Sequence, residues 1–243
     1  MAEDPRFLCG TQLIAAYFDI EEQQAIDLVA YLAAMHDCYG KAHPAFQKKS
    51  VEDAATFVQS GIISVLDQER GYRHERYGAR LFRKRVAELF HMNPLVARVM
   101  ASAIELHHQG KAGHANPPKR GKEQWTTMAD ALHQRAIELF HPQLDQLDHC
   151  NHCDACVLVL SSFVILADWI ASSMPFEGLN EEDDTCYCTL SRALADHTVK
   201  EYGLSSDQPF PPIQAYQTLW PFLSHARLRP LQSAMMADVW PDV

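Results

Sequence analysis

Four places along the chain carry side chains that bind metals well: His36-Asp37, His74, His107-His108 and Asp168. An adjacent His-Asp or His-His pair at a helix end sends two donors into one pocket, because the second residue leaves helical geometry. Asp168 stands in a very apolar run, "ACVLVLSSFVILADWIASS" (155–173), where an unpaired carboxylate is costly. A metal ion is one partner for it, and an Arg or Lys is another. Each residue also has an ordinary reading: a lone His after a helix is often a cap, and a buried Asp can be a hydrogen-bond hub. Taken together, the imidazoles and carboxylates form a donor set for Mn, Fe, Ni, Co or Zn. Two such ions can clamp a phosphate and generate hydroxide near neutral pH.

The elements that must position these residues read as helices. Apolar residues recur at helical period in 21–36, where the helix is expected to end at the His-Asp pair, and in 74–91, 94–108, 126–141 and 186–203, with a weaker helix at 51–66. Pro94 and Gly110 bracket the fourth of these in the usual order. The 155–173 run is apolar on nearly every face and reads as a central buried helix. It is shorter than a membrane span requires, and Asp168 and several Ser interrupt it. No strand alternation is sustained, no internal repeat is evident, and loops fall at 109–124 and 204–212. The fold class is therefore all-α, with one domain over residues 1–203 and a C-terminal extension over 204–243.

At 243 residues the chain is long enough for a substantial core, and 47% hydrophobic with 21% charged residues is ordinary for a globular protein. The N-terminus has no signal-peptide pattern, so a cytoplasmic location is expected and no membrane partner. A net charge of −10 argues against nucleic-acid binding over the whole surface. A local basic loop remains: Lys111, Lys119, Arg120 and Lys122 beside His107-His108 could line a single-strand path. Cys150, Cys153 and Cys156 are spaced for a structural zinc that Cys186 and Cys188 could complete, but they also read as one packed face of a helix. Trp125 and Trp169 read as packing residues.

The segment "HDCYGKAHPAFQ" (36–47) resembles a motif of the HD nuclease domain of the CRISPR-associated helicase-nuclease of type I systems. Three further segments are similar to that family's motifs and fall in its order: "YRHERYGA" (72–79), "ELHHQGKAGH" (105–114) and "LADWIASS" (166–173). "RLRPLQSAM" (227–235) resembles the segment leading into the helicase. The resemblance implies an HD-superfamily helical domain with His36, Asp37, His74, His107, His108 and Asp168 as ligands of one or two transition-metal ions. Asp37 would bridge the ions, Lys41 would neutralise the scissile phosphate, and Arg73 and Glu75 would orient ligands. The implied activity is hydrolysis of single-stranded DNA by a metal-activated hydroxide, with the CRISPR surveillance complex and a helicase as partners.

Two departures qualify this. The family opens with a His one helix earlier; aligning Ala15-Ala16 with its pattern puts Gly10 there, beside Cys9. A missing imidazole is expected to impair one metal site, and Gly10→His to raise activity. Cys38-Tyr39 is also one residue longer than the family's spacing, which is expected to shift Lys41. The chain contains no GxxxxGK[ST] phosphate loop and so no ATP site. It is read as a stand-alone HD protein or the N-terminal piece of a longer one. The alternatives are a catalytically impaired module that binds or mimics CRISPR interference components, and an HD-type nucleotide phosphohydrolase.

Overall fold

The computed structural model describes residues 5–47, 59, 72–108, 123–173 and 184–201. The expected helix at 51–66, the basic loop with Lys111, Lys119, Arg120 and Lys122, and the C-terminal extension lie outside the described residues. Every regular element among the described residues is helical, as the pattern predicts. In chain order they are α1 (Pro5–Phe18), α2 (Glu22–Lys41), α3 (Pro44–Gln47), α4 (His74–Phe90), α5 (Pro94–Glu105), α6 (Glu123–Phe140), α7 (Cys153–Ser173) and α8 (Asp184–Glu201). Single 3-10 turns cover Leu106–His108 and Leu144–Gln146.

The core forms around α2. Its buried residues Ala25, Leu28, Val29, Leu32, Met35 and Tyr39 recur every three or four positions, so one stripe faces inward. It packs against α1, α4, α5, α6 and α7. Gln24 holds its start by accepting from the backbone N–H of Glu21 at 2.9 Å. Asn93 caps α5, accepting from the N–H of Leu95 at 2.9 Å, with Pro94 just inside.

Helix α2 does not stop at His36. It continues to Lys41, so His36 and Asp37 are helical residues rather than a helix end. The helix runs through Gly40. Alone it costs a helix only about 1 kcal/mol, and here it makes room for α4. A Cβ at Gly40 would lie 2.3 Å from the carbonyl oxygen of His74, and one at Gly78 would lie 3.0 Å from the nitrogen of Gly40. Two glycines thus let the α2 and α4 backbones touch. The Tyr72 hydroxyl seals the crossing, donating to the Gly40 carbonyl at 2.7 Å.

Other expectations shift in smaller ways. The N-terminal segment forms a helix that the pattern did not predict. Over Cys153–Ser172, α7 does have the length and mean hydropathy (2.0) of a membrane span, contrary to the reading of 155–173. It behaves as a core helix: Cys156, Leu160, Phe163 and Val164 are buried in the hydrophobic cluster, and the helix packs on α1, α2 and α5. Trp125 is buried as expected, whereas Trp169 is 55% exposed and packs little.

A seven-residue phrase also recurs, R-x-x-E-L-F-H at 85–91 and 135–141. Each copy ends a helix. The Arg and Glu pair at i,i+3 (3.7 Å for Arg85–Glu88, 3.5 Å for Arg135–Glu138). The His follows in the left-handed conformation, with φ of 49° at His91 and 46° at His141. That conformation cannot continue a helix.

Candidate metal centre

Three helices and the 3-10 turn bring the candidate ligands together. His36 and Asp37 come from the last turns of α2, His74 from the first residue of α4, His107 and His108 from the 3-10 turn after α5, and Asp168 from α7. All six predicted residues meet. Asp37 is the centre. Its Oδ1 lies 3.1 Å from His74 Nε2 and 3.7 Å from His107 Nε2, and its Oδ2 lies 3.0 Å from His36 Nε2. Asp168 Oδ1 is 3.3 Å from His36 Nε2. The Nε2 atoms of His74 and His108 are 3.0 Å apart.

Backbone carbonyls fix the imidazoles. His36 Nδ1 lies 2.5 Å from the Ala33 carbonyl and His107 Nδ1 lies 2.6 Å from the Ile104 carbonyl. A carbonyl only accepts, so both Nδ1 atoms carry the proton and both Nε2 atoms face the centre. Phe46 of α3 packs edge-on against the His74 ring at 5.1 Å, which gives "PAFQ" its place. Lys41 is ion-paired to Asp37 one turn away in α2. The extra residue between the His-Asp and Gly-Lys pairs therefore sets an i,i+4 spacing and does not carry the lysine off. Arg73 donates to Glu75, which is buried, and Glu75 Oε2 lies 3.6 Å from His74 Nδ1.

Electrostatics follow from this packing. Burial alone would raise the Asp37 carboxyl, but His36, His74 and Lys41 outweigh it and hold the group well below the usual carboxylate range. Burial pushes His107 down to about 4. Burial would also lower His36, yet the neighbouring Asp37, the Ala33 carbonyl and Asp168 push it above its ordinary value. Glu75 is likewise held below its ordinary value, its burial being outweighed by its own backbone N–H and by Arg73.

Two atoms decide whether a cation fits. Asp37 Oδ1 and His107 Nε2 are both buried without a hydrogen-bond partner, and both are acceptors aimed at each other. Unmet buried acceptors cost about 1–3 kcal/mol each. A cation between them satisfies both. Two donor groups that share His107 have the spacing to hold a metal ion, His74–His107–His108 and His36–Asp37–His107, the donor atoms of each lying within 4.8 Å of one another. The mixed nitrogen and oxygen set suits a divalent transition ion.

The cysteine run makes no such group among the described residues. Cys156 is fully buried in the core and Cys150 nearly so, and burial pushes the Cys150 thiol up to about 11. Cys156 packs into the core from α7, and Cys150 does so from the segment before that helix, so the expected single helix face holds only from Cys153 onward. The side chains of Cys9, Cys186 and Cys188 lie outside the described residues. At Gly10, a Cβ would meet the Phe163 ring at 2.9 Å. The place aligned with the family's first imidazole is thus closed by an aromatic ring, and Gly10→His requires Phe163 to move.

Sequence reasoning missed one polar centre. His133 of α6 is 1% exposed and touches two tyrosine hydroxyls of α2: Tyr31 at 2.6 Å through Nε2 and Tyr39 at 2.5 Å through Nδ1. One nitrogen donates and the other accepts, so the neutral ring is satisfied twice. Tyr31 and Tyr39 are eight residues apart, two turns of one face, and that spacing was the available signal. Burial, with Arg85 nearby, pushes His133 down to about 4. A lowered folded value means this contribution is complete above about pH 6.5 and is lost as pH falls toward 4. Between pH 7.5 and pH 5 the protein is expected to lose about 2 kcal/mol more stability than His133→Gln. Urea unfolding at the two pH values measures this, and equal losses would sink the assignment.

The comparisons agree with the geometry. A solved structure described as "Crystal structure of CRISPR-associated protein" shares this fold with a TM-score of 0.65 at 19% identity, over 88% of this chain and 25% of its own. The chain thus spans about a quarter of that protein's length. No curated protein matches it. The family model described as "Cas3, HD domain" matches residues 4–176, a span that includes all six candidate ligands, and the chain belongs to this family.

Proposed function

We propose that the protein is a metal-dependent nuclease that hydrolyses single-stranded DNA in CRISPR interference, in the cytoplasm, with a surveillance complex and a helicase in cis or trans. The observation that supports this most is the facing pair of unpartnered acceptors, Asp37 Oδ1 and His107 Nε2, ringed by His36, His74 and His108. Manganese, iron, nickel or cobalt bound there, or zinc, supplies Lewis acidity toward a phosphodiester and an activated water. Asp37 presents one oxygen to each side of the centre. Its anionic state is secured by three flanking groups, so it remains a ligand throughout the neutral range. Lys41, 39% exposed, is placed to meet a phosphate oxygen entering from solvent. Glu75, held by Arg73, backs His74 and limits its rotation. The basic loop of Lys111, Lys119, Arg120 and Lys122 is assigned to the strand path on its composition.

The test is direct. The purified chain is loaded with Mn, Ni, Co or Fe, and its metal content is measured alongside cleavage of circular single-stranded DNA. Cleavage that disappears in His107→Ala and in Asp168→Ala supports the reading. A metal-free protein inert in every metal sinks it.

One observation favours a second reading, a catalytically impaired module that binds interference components. Phe163 fills the position aligned with an additional imidazole. That reading expects metal binding without cleavage. An HD-type nucleotide phosphohydrolase expects turnover of free nucleotides and none of DNA.

A further inference from the structure

His107 belongs to both donor groups, but it has one lone pair to give. Its Nδ1 is committed to the Ile104 carbonyl, so only Nε2 can ligate, and it can ligate one ion. The two sides of Asp37 then differ. On the Oδ1 side stand His74, His107 and His108. Here Asp37 Oδ1 and His107 Nε2 are the unmet acceptors, and no fixed positive charge faces them. On the Oδ2 side stand His36 and Asp168 as the remaining donors, and the Lys41 ammonium is already paired with Asp37 Oδ2. The Oδ1 side gathers imidazoles without a fixed cation, and the Oδ2 side has the lysine ammonium built in.

We propose that Lys41 stands in for a second metal ion: the chain holds one divalent transition ion on Asp37 Oδ1, His74, His107 and His108, and the lysine keeps the His36–Asp37 Oδ2–Asp168 side from loading. A second divalent ion there would share Oδ2 with the ammonium at contact distance, where like charges repel strongly. The lysine is well placed for this. It sits one helical turn from Asp37, and its ammonium lies 5.8 Å from the Phe46 ring centroid. The inference rests on the reading of the centre as a metal site, and it does not depend on what the centre cleaves.

The experiment counts ions. The full chain is stripped with a chelator, titrated with Mn²⁺ by calorimetry, and assayed for retained metal after desalting. One tightly held ion per chain is expected. Lys41→Met and Lys41→Gln are expected to take up a second ion, or to bind it at least tenfold more tightly than the native chain. Lys41→Arg, which keeps the charge, is expected to stay at one, and His108→Ala to lose the tight ion. Two equally tight ions in the native chain overturn the inference, as does Lys41→Met unchanged at one ion. Because Lys41 is 39% exposed, the Lys41 variants are expected to keep the native melting temperature, which circular dichroism checks. A native chain with two ions that cleaves DNA overturns this inference and leaves the nuclease reading standing. A chain that holds one ion and cleaves nothing does the reverse.

Discussion

Gly40→Ala is expected to lower the thermal midpoint by roughly 10 °C and to strip the protein of retained metal at the same time. The added methyl would sit 2.3 Å from the His74 carbonyl oxygen and 2.8 Å from its carbonyl carbon. Those are backbone atoms, so no rotamer change relieves the contact, and α4 must move away from α2. Overpacking of this kind costs about 3 kcal/mol, and a domain of this size loses roughly 2–4 °C per kcal/mol. The coupling to metal follows from position. His74 is the residue struck, and Asp37 lies less than one turn before Gly40. Gly78→Ala is the graded comparison, its Cβ meeting Gly40 at 3.0 and 3.3 Å. A smaller loss is expected there. Scanning calorimetry and retained Mn²⁺ measure both, and a Gly40→Ala protein with native stability and native metal content would refute the two-glycine crossing as the device that sets the site.

Asp37→Asn is expected to reduce cleavage by at least about a thousandfold, equivalent to roughly 4 kcal/mol of transition-state stabilisation, and to abolish tight metal binding. The amide keeps the shape of the side chain and loses the charge. Asp37 also neutralises three neighbours, so the substitution leaves His36, His74 and Lys41 facing one another without an anion. Asp130→Asn serves as the control. It removes a partly exposed carboxylate paired with Arg85, far along the chain from the centre, and its cleavage rate is expected to stay within a few-fold of native. Equal losses in the two variants would show that the effect is one of general charge balance.

Much of this was legible in the sequence, because both the helical period and the donor residues are local signals. The six candidate ligands could be picked out as His-Asp, His, His-His and Asp without knowing what joins them. What was not legible depends on partners distant in sequence. Gly40 looks like a helix stop until α4 is laid across it, and so α2 was ended five residues early. His133 looks like an ordinary polar residue of an amphipathic helix, since nothing near it in sequence announces Tyr31 and Tyr39, about a hundred residues away. Gly10 reads as a gap in the aligned ligand set, and the Phe163 ring packed against it depends on a helix about 150 residues away. Trp169 follows Asp168 in an apolar run and still points outward, because a carboxylate turned inward carries its neighbour about 100° around the helix.

The two histidines that end α4 and α6 have a practical consequence for chelation chemistry. His91 and His141 are exposed, as are His149, His152 and His197, so among the described residues five imidazoles outside the candidate centre stand on the surface for reasons that include stopping helices. Such groups scavenge transition metals from nickel resins and loading buffers as weak single ligands. Among the described residues, the gathered imidazoles of the candidate centre thus stand apart from scattered ones that bind metals singly. Only ions that survive a competing chelator wash belong to the first.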